Sequence, residues 1–305
     1  MGKSAITPAL VSRLVAAQFP QWAHLPVTPV ELDGNDNTTF RLGENLSVRL
    51  PSAGPYVPQV EKEHRWLPIL APQLPLPIPA PVAKGAPGSG FPRPWSIYRW
   101  RPGEPATAER VADLGRLAID LAGFLAALYA IDPGGGPPPG RHSFLRGAPP
   151  AVYDEEARAA IVALEGEIDT DGATEVWEAA LAATFRGPPV WVHGDVTASN
   201  LLTVDGRLSA VIDFGCSAVG DPACDLTMAW TFFSGDSRAA FRDALGLDAE
   251  AWERGRGWAL WKALIQLLDV VRAGRTQGDP AAVRMGWRLS SRAVIAEVLA
   301  DHARA

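Results

Sequence analysis

Apolar and polar positions alternate with two different periods along this chain, and the change of period divides it. Near the start, Leu10, Val11, Leu14, Val15 and Phe19 recur at helical spacing behind Thr7-Pro8, which predicts a capped amphipathic helix. Three short runs follow, Val27 to Leu32, Thr38 to Leu42 and Leu46 to Leu50, separated by Gly34-Asn35-Asp36-Asn37 and Gly43-Glu44-Asn45. Turn residues between alternating runs predict an antiparallel meander. A short helix is expected from Pro58 to near Pro68. From there to Pro94 prolines are dense enough to forbid a long helix, leaving an extended path with one strand near Val82. Trp95 to Trp100 reads as a further strand, and Arg101-Pro102-Gly103 as a hinge.

Beyond the hinge the period is helical. Val111, Leu114, Ala118, Leu121, Leu125 and Leu128 keep one apolar face, with Thr107 as the expected N-cap. The run Gly134 to Gly140 is a low-complexity loop, followed by helices expected at Ala151 to Leu164 and Thr174 to Thr184. Two β-like runs, Val190 to Val192 and Leu208 to Ile212, precede helices that continue to the end. The expected fold class is α+β with two lobes: a small antiparallel β lobe over residues 1–101 and a larger helical lobe over 102–305. The cleft between them is the expected ligand site. No internal repeat is visible, which removes solenoids.

Composition narrows the function. The 305 residues are 47% hydrophobic and 20% charged, enough for one large core or two smaller ones. A formal net charge of -6 and a pI near 5.4 speak against nucleic acid as a partner and fit a cationic or neutral small ligand. Ser12, Arg13 and Gln18 interrupt the N-terminal apolar residues, and no stretch approaches ~20 apolar residues, so neither a signal peptide nor a membrane span is expected. The two cysteines, Cys216 and Cys224, lack metal spacing and read as reduced thiols of a cytoplasmic protein.

The chemistry concentrates in Trp191-Val192-His193-Gly194-Asp195-Val196-Thr197-Ala198-Ser199-Asn200 and in Val211-Ile212-Asp213-Phe214-Gly215. Phosphoryl transfer requires a carboxylate beside the attacking hydroxyl and oxygen ligands for the metal ions that neutralise a triphosphate. Asp195, Asn200 and Asp213 supply these groups. The five-residue step from Asp195 to Asn200 is that of a protein-kinase catalytic loop, and Asp213-Phe214-Gly215 is the metal-binding tripeptide. Either motif alone is compatible with ordinary hairpin turns. The two in order, thirteen residues apart from Asn200 to Asp213, are not.

"HGDVTASN", then "IDFG", then "GDPACDL" resembles the aminoglycoside phosphotransferase family and its kinase-like fold. The glycine after the histidine, where eukaryotic protein kinases carry arginine, favours a small-molecule acceptor. The resemblance implies ATP or GTP as donor, Mg²⁺ as metal and a hydroxyl as acceptor. It makes Asp195 the base or orienting group and Asn200 and Asp213 the metal ligands. Asp221 and Asp225 both precede a helix and read as scaffold caps.

In the third strand Ser47 and Arg49 share the face opposite Leu46, Val48 and Leu50. A kinase places a small residue and then a lysine there. Here the cation is an arginine, a planar fork in place of a compact ammonium. The resemblance puts Arg49 on the α/β-phosphates, against the alternative of a surface arginine on a half-exposed strand. Its partner is expected to be Glu63, which shares a helical face with Val60, His64 and Leu67, while Glu61 turns toward Arg65 and solvent. Asp33 to Thr39 holds one glycine and is no Gly-x-Gly-x-x-Gly loop, yet Asn37 and Thr38 could offer amides and hydroxyls to phosphates as the family's hairpin turn does. Backbone amides of Ile97 to Arg101 would bind the nucleobase.

Several look-alikes fall away. Gly2-Lys3-Ser4 lacks the upstream part of a Walker A loop, and Gly215 to Val219 lacks the closing glycine of a nucleophile elbow. The five histidines have no zinc spacing, and His193 reads as an orienting residue. Trp230, Trp252, Trp258, Trp261 and Trp287 read as core. An aminoglycoside acceptor calls for carboxylates on the helical lobe, with Asp225, Asp236 and Asp269 available, and a macrolide for an apolar trough. The expected acceptor is an antibiotic such as an aminoglycoside, with resistance as the biological outcome; a macrolide, choline, homoserine or a sugar as acceptor, and a non-catalytic nucleotide-binding scaffold, are the alternatives.

Overall fold

The structure is a computed structural model that describes residues 2–30, 34, 36–274 and 278–305. The N-terminal helix α1 (Pro8–Gln18) begins where Thr7 accepts the Leu10 N–H at 3.3 Å, with proline at the first helical position. Its apolar stripe of Leu10, Val11, Leu14 and Val15 packs on Phe40, Leu42, Val48, Leu50, Trp95 and Ile97. Burial of each such side chain contributes about 1.5–3 kcal/mol, which is what holds the helix on the sheet.

That sheet contains β1 (Val27–Pro29), β2 (Asn37–Leu42), β3 (Leu46–Pro51), β4 (Ala80–Gly85) and β5 (Trp95–Arg99), in the order β1-β2-β3-β5-β4. Every pairing is antiparallel. The expected first strand ends early, at Pro29, and Glu31 and Leu32 lie outside the described residues, as do Asp33 and Asn35 of the following loop. The helix α2 (Val57–Leu70) ends near Pro68 as expected, two residues beyond it. Leu67 and Leu70 are each 1% exposed, and their burial outweighs the one backbone hydrogen bond that proline forfeits.

After β6 (Glu104–Pro105), α3 (Leu114–Tyr129) starts later than its apolar pattern suggested. Asp113, not Thr107, is its N-cap and accepts the Arg116 N–H at 3.0 Å. Thr107 caps a separate turn at Arg110, and the Ala112 N–H is drawn to the Gly206 carbonyl, so tertiary pairing takes Val111 out of the helix. Helices α4 (Asp154–Ala163) and α5 (Thr170–Ala182) follow, the latter capped a turn earlier than expected by Asp169. The strands β7 (Val190–Val192), β8 (Leu201–Val204), β9 (Arg207–Val211) and β10 (Ala218–Gly220) form two small antiparallel sheets, β10-β7 and β6-β8-β9. Strands β8 (four residues) and β10 (three residues) were not among the expected runs; each is set by its pairing, β8 with β6 and β9 and β10 with β7.

The remaining helices are α6 (Met228–Thr231), α7 (Gly235–Leu245), α8 (Ala249–Arg272), α9 (Pro280–Arg284) and α10 (Ser291–His302). Trp177, Trp230, Trp252, Trp258, Leu260 and Leu264 centre the larger core on α8. That core reaches Trp66, Leu67, Leu70, Ile78 and Tyr98 behind α2 and the sheet. Apolar packing therefore fixes α2, which belongs to the first lobe by sequence, against the second. Among the described residues no helix is long and apolar enough to cross a membrane, and Cys216 and Cys224 are free thiols.

Candidate active site

β7 delivers the chain to His193, and Asp225 bends it there. The Asp225 carboxylate, wholly buried, accepts the N–H groups of His193 at 2.9 Å and Gly194 at 2.7 Å, with the Tyr129 hydroxyl at 3.4 Å. Burial raises the Asp225 carboxyl, against the pull of His193 and of these hydrogen bonds. Gly194 has φ +81, and a Cβ added to it would stand 2.4 Å from the Cys216 carbonyl oxygen. Only glycine serves there, because both the backbone angle and the approach of the neighbouring loop exclude a side chain. His193 accepts the Asp195 N–H at Nδ1 and donates from Nε2 to the Ile212 carbonyl at 2.9 Å. Its ring thus ties the loop from His193 to Asn200 to the segment that carries Asp213.

Asn200 closes the loop on itself. Its Nδ2 donates to the Asp195 carbonyl at 3.0 Å and to Asp195 Oδ2 at 3.3 Å, while its backbone carbonyl accepts the Ile212 N–H at 2.8 Å. Asp213 follows β9 with φ 66 and ψ 68, a left-handed conformation that costs a non-glycine residue energy and persists only where the surroundings enforce it.

Across the cleft, Ser47 is buried on β3 and Arg49 lies on the same face, whereas Val48 and Leu50 point into the core under α1. Arg49 donates to Asp213 Oδ1 at 2.7 Å and stands 3.5 Å from Glu63 Oε1. Tyr98 donates to the other Glu63 oxygen, and the Arg49 guanidinium lies 5.5 Å from the Tyr98 ring centroid. Burial works against the charge on Arg49, but Asp213 and Glu63 outweigh it and raise its pKa. Glu61 is exposed and pairs with Lys84 at 2.7 Å, away from this chain of charges. Asn37 and Thr38 are buried at the start of β2, and among the described residues the Thr38 hydroxyl has no hydrogen-bond partner.

Five residues with no motif to announce them complete the cleft. Asp36 accepts from Gln59 Nε2 at 3.0 Å, and burial raises its carboxyl to about 6. Lys62 is buried and donates to the carbonyls of Gly215 at 2.7 Å, Ser217 at 2.8 Å and His142 at 3.2 Å. Burial lowers its pKa to about 8. Lys262, from α8, reaches Asp195 Oδ1 at 2.8 Å. Burial would raise the Asp195 carboxyl, yet Lys262 together with Arg146 and His193 holds it below its usual range. Arg146 lies over the Trp261, Trp258 and Tyr153 rings at 4.7, 5.1 and 5.8 Å. A signal for Lys262 did exist: it is the one lysine in a helix otherwise filled with buried tryptophan, leucine and alanine around it.

Asp221 is fully used elsewhere, joined to Arg254 at 2.6 Å with both side chains 2% exposed, and capping the turn at Ala223. Of the tryptophans, Trp258 and Trp261 are buried as expected of core, but Trp261 also stacks on Tyr153 with ring centroids 4.0 Å apart.

An antiparallel sheet with one cross-packed helix, set over a helical lobe with Asp195, Asn200 and Asp213 at their junction, defines a small-molecule kinase of protein-kinase-like fold that takes an alcohol as acceptor. The model of the APH family, described as the phosphotransferase enzyme family, matches residues 27–258, and the chain belongs to that family. No curated protein sequence is significantly similar to it. Among solved structures, the GDP complex of aminoglycoside 2'-phosphotransferase-IIIa is 18% identical, with 97% of this chain and 100% of that one covered and a TM-score of 0.71. The streptomycin-ATP ternary complex of APH(2")-IIa is 21% identical over 95% and 99% of the two chains, with a TM-score of 0.60. The apoenzyme of macrolide 2'-phosphotransferase MphH from Brachybacterium faecium is 22% identical over 90% and 97%, also with a TM-score of 0.60. These likenesses establish a common fold.

Proposed function

We propose that the protein moves the γ-phosphoryl group of ATP or GTP, in the presence of Mg²⁺, to a hydroxyl of a small molecule in the cytoplasm. Residues 1–101 form the nucleotide lobe and 102–305 the catalytic and acceptor lobe. The observation that carries this reading is the convergence of two side-chain chains on one cleft: Glu63, Arg49 and Asp213 from one side, and Asn200, Asp195 and Lys262 from the other. The nucleotides in similar structures, GDP and ATP, support the donor class.

Asn200 and Asp213 suit Mg²⁺ by their chemistry. With its amide nitrogen directed at Asp195, Asn200 keeps its carbonyl oxygen as the remaining pole, and Asp213 adds a carboxylate. One or two such oxygens plus phosphate oxygens make the usual protein share of a magnesium site. When bound, the metal neutralises phosphate charge. Arg49 holds α- and β-phosphate oxygens with Glu63 as its anchor, and the loop at Asn37 and Thr38, paired with the Leu50–Pro51 end of β3, covers the phosphates. Asp195 accepts the hydrogen bond of the acceptor hydroxyl and takes its proton as oxygen attacks the γ-phosphorus. The bond from that phosphorus to the β-bridging oxygen breaks, and the nucleoside diphosphate leaves.

The test is Asp195→Ala. Phosphorylated product followed by mass spectrometry is expected to fall about 10²–10⁴-fold, with Mg-nucleotide affinity changed no more than a few-fold. Undiminished turnover would overturn the role of Asp195.

A further inference from the structure

Charge beside Asp195 speaks to the acceptor. Lys262 neutralises that carboxylate through a 2.8 Å contact, and the lysine side chain is only 13% exposed. Arg146 stands on the same side. A Cβ placed on Gly194, the residue before Asp195, would lie 2.9 Å from the Arg146 Cβ. The next residue along from Arg146, Gly147, is pinned where its carbonyl accepts the Asp221 N–H at 2.7 Å. No carboxylate pairs with Arg146 among the described residues; its guanidinium donates to the Phe144 carbonyl at 3.5 Å. That guanidinium rests on the faces of Tyr153, Trp258 and Trp261, a low-dielectric wall that strengthens its field. Glu156 accepts from Trp261 Nε1 at 2.8 Å and forms no ion pair with Arg146, and Asp269 is exposed farther along α8.

We infer that the acceptor is an anionic alcohol, whose hydroxyl meets Asp195 and whose carboxylate or phosphate is taken by Arg146, and that polycationic amino sugars are poor acceptors. The inference rests on the phosphoryl transfer proposed above. An ammonium group beside the reacting hydroxyl would face Lys262 and Arg146 with Asp195 already paired, so repulsion is its expected lot.

Two probes separate the cases in the full-length protein with Mg-ADP: 4-(hydroxymethyl)benzoate and kanamycin, with binding read by calorimetry. The benzoate is expected to bind about ten-fold tighter than kanamycin. Arg146→Met, which keeps the stem, is expected to erase that preference, and Lys262→Met, which exposes the Asp195 charge, to improve kanamycin. Lys262→Met keeps the test decisive should Arg146→Met not fold, as checked by thermal unfolding. Kanamycin binding equal to or tighter than the benzoate, binding of neither probe, or a preference untouched by the folded variants overturns the inference. The two proposals fail separately: a reversed preference with phosphorylated product still formed sinks only the acceptor class. Absence of product from every alcohol, with the preference for the benzoate intact, sinks the reaction instead.

Discussion

On the donor side of the cleft, charges meet in a continuous relay: Tyr98 to Glu63, Glu63 to Arg49, Arg49 to Asp213. On the acceptor side, two cations from distant segments, Arg146 and Lys262, flank the single carboxylate of Asp195, and only Lys262 touches it. The relay balances itself and positions its members through one another. On the other side Arg146 has no carboxylate partner among the described residues. On the function proposed above, one cleft divides two electrostatic tasks: holding a highly charged donor by a preset frame, and choosing an acceptor by what the frame leaves unpaired.

Substitutions can break or sharpen this contrast. The largest effect belongs to the support that both sides share. Asp225→Ala strands the His193 and Gly194 N–H groups in a fully buried position and is expected to cost about 4 kcal/mol in denaturant unfolding, with phosphoryl transfer lost as the loop shifts. Arg49→Met leaves Glu63 buried without its cation. A cost of about 3 kcal/mol is expected, with nucleotide affinity reduced in isothermal titration; Arg49→Lys should recover only part, since an ammonium cannot fork between Glu63 and Asp213.

Asp36→Asn is expected to stabilise. Burial raises this carboxyl from its ordinary 3.8 to about 6, so between those values the folded chain keeps a proton that the unfolded chain has released. Stability at Asp36 is thus complete below about pH 4 and eroded as pH rises through 6. At pH 7 the amide variant should gain roughly 1–3 kcal/mol, and the gain should vanish below pH 4 in urea melts recorded across that range. Smallest is Glu61→Gln. It removes an exposed pair with Lys84 and is expected to change the melting free energy by less than about 1 kcal/mol; a loss as large as that of Arg49→Met would contradict the division between Glu61 and Glu63.

The donor side was the more legible in sequence, for physical reasons. A strand alternates faces by two and a helix repeats by three and four, so spacing put Ser47 and Arg49 on one strand face and separated Glu63 from Glu61, the resemblance turned that face toward a nucleotide, and the close steps of Asp195, Asn200 and Asp213 carried their own geometry. The sheet, its order of short runs and the helical remainder were readable by the same periods. Residues whose placement depends on tertiary contact were not. Lys262 meets Asp195 across 67 positions and Arg146 joins Trp258 and Trp261 across more than a hundred, separations that no local period encodes. The same limit displaced the start of α3, where Ala112 pairs with Gly206.

Little more than one turn of α2 grips three parts of the donor side: Gln59 holds Asp36, Lys62 holds the Gly215 and Ser217 carbonyls, and Glu63 holds Arg49. Mechanically this makes the helix a single latch. The orientation of one helix thus sets the phosphate-side loop, the tripeptide loop and the arginine together, so the three parts share a single mechanical reference rather than three independent ones.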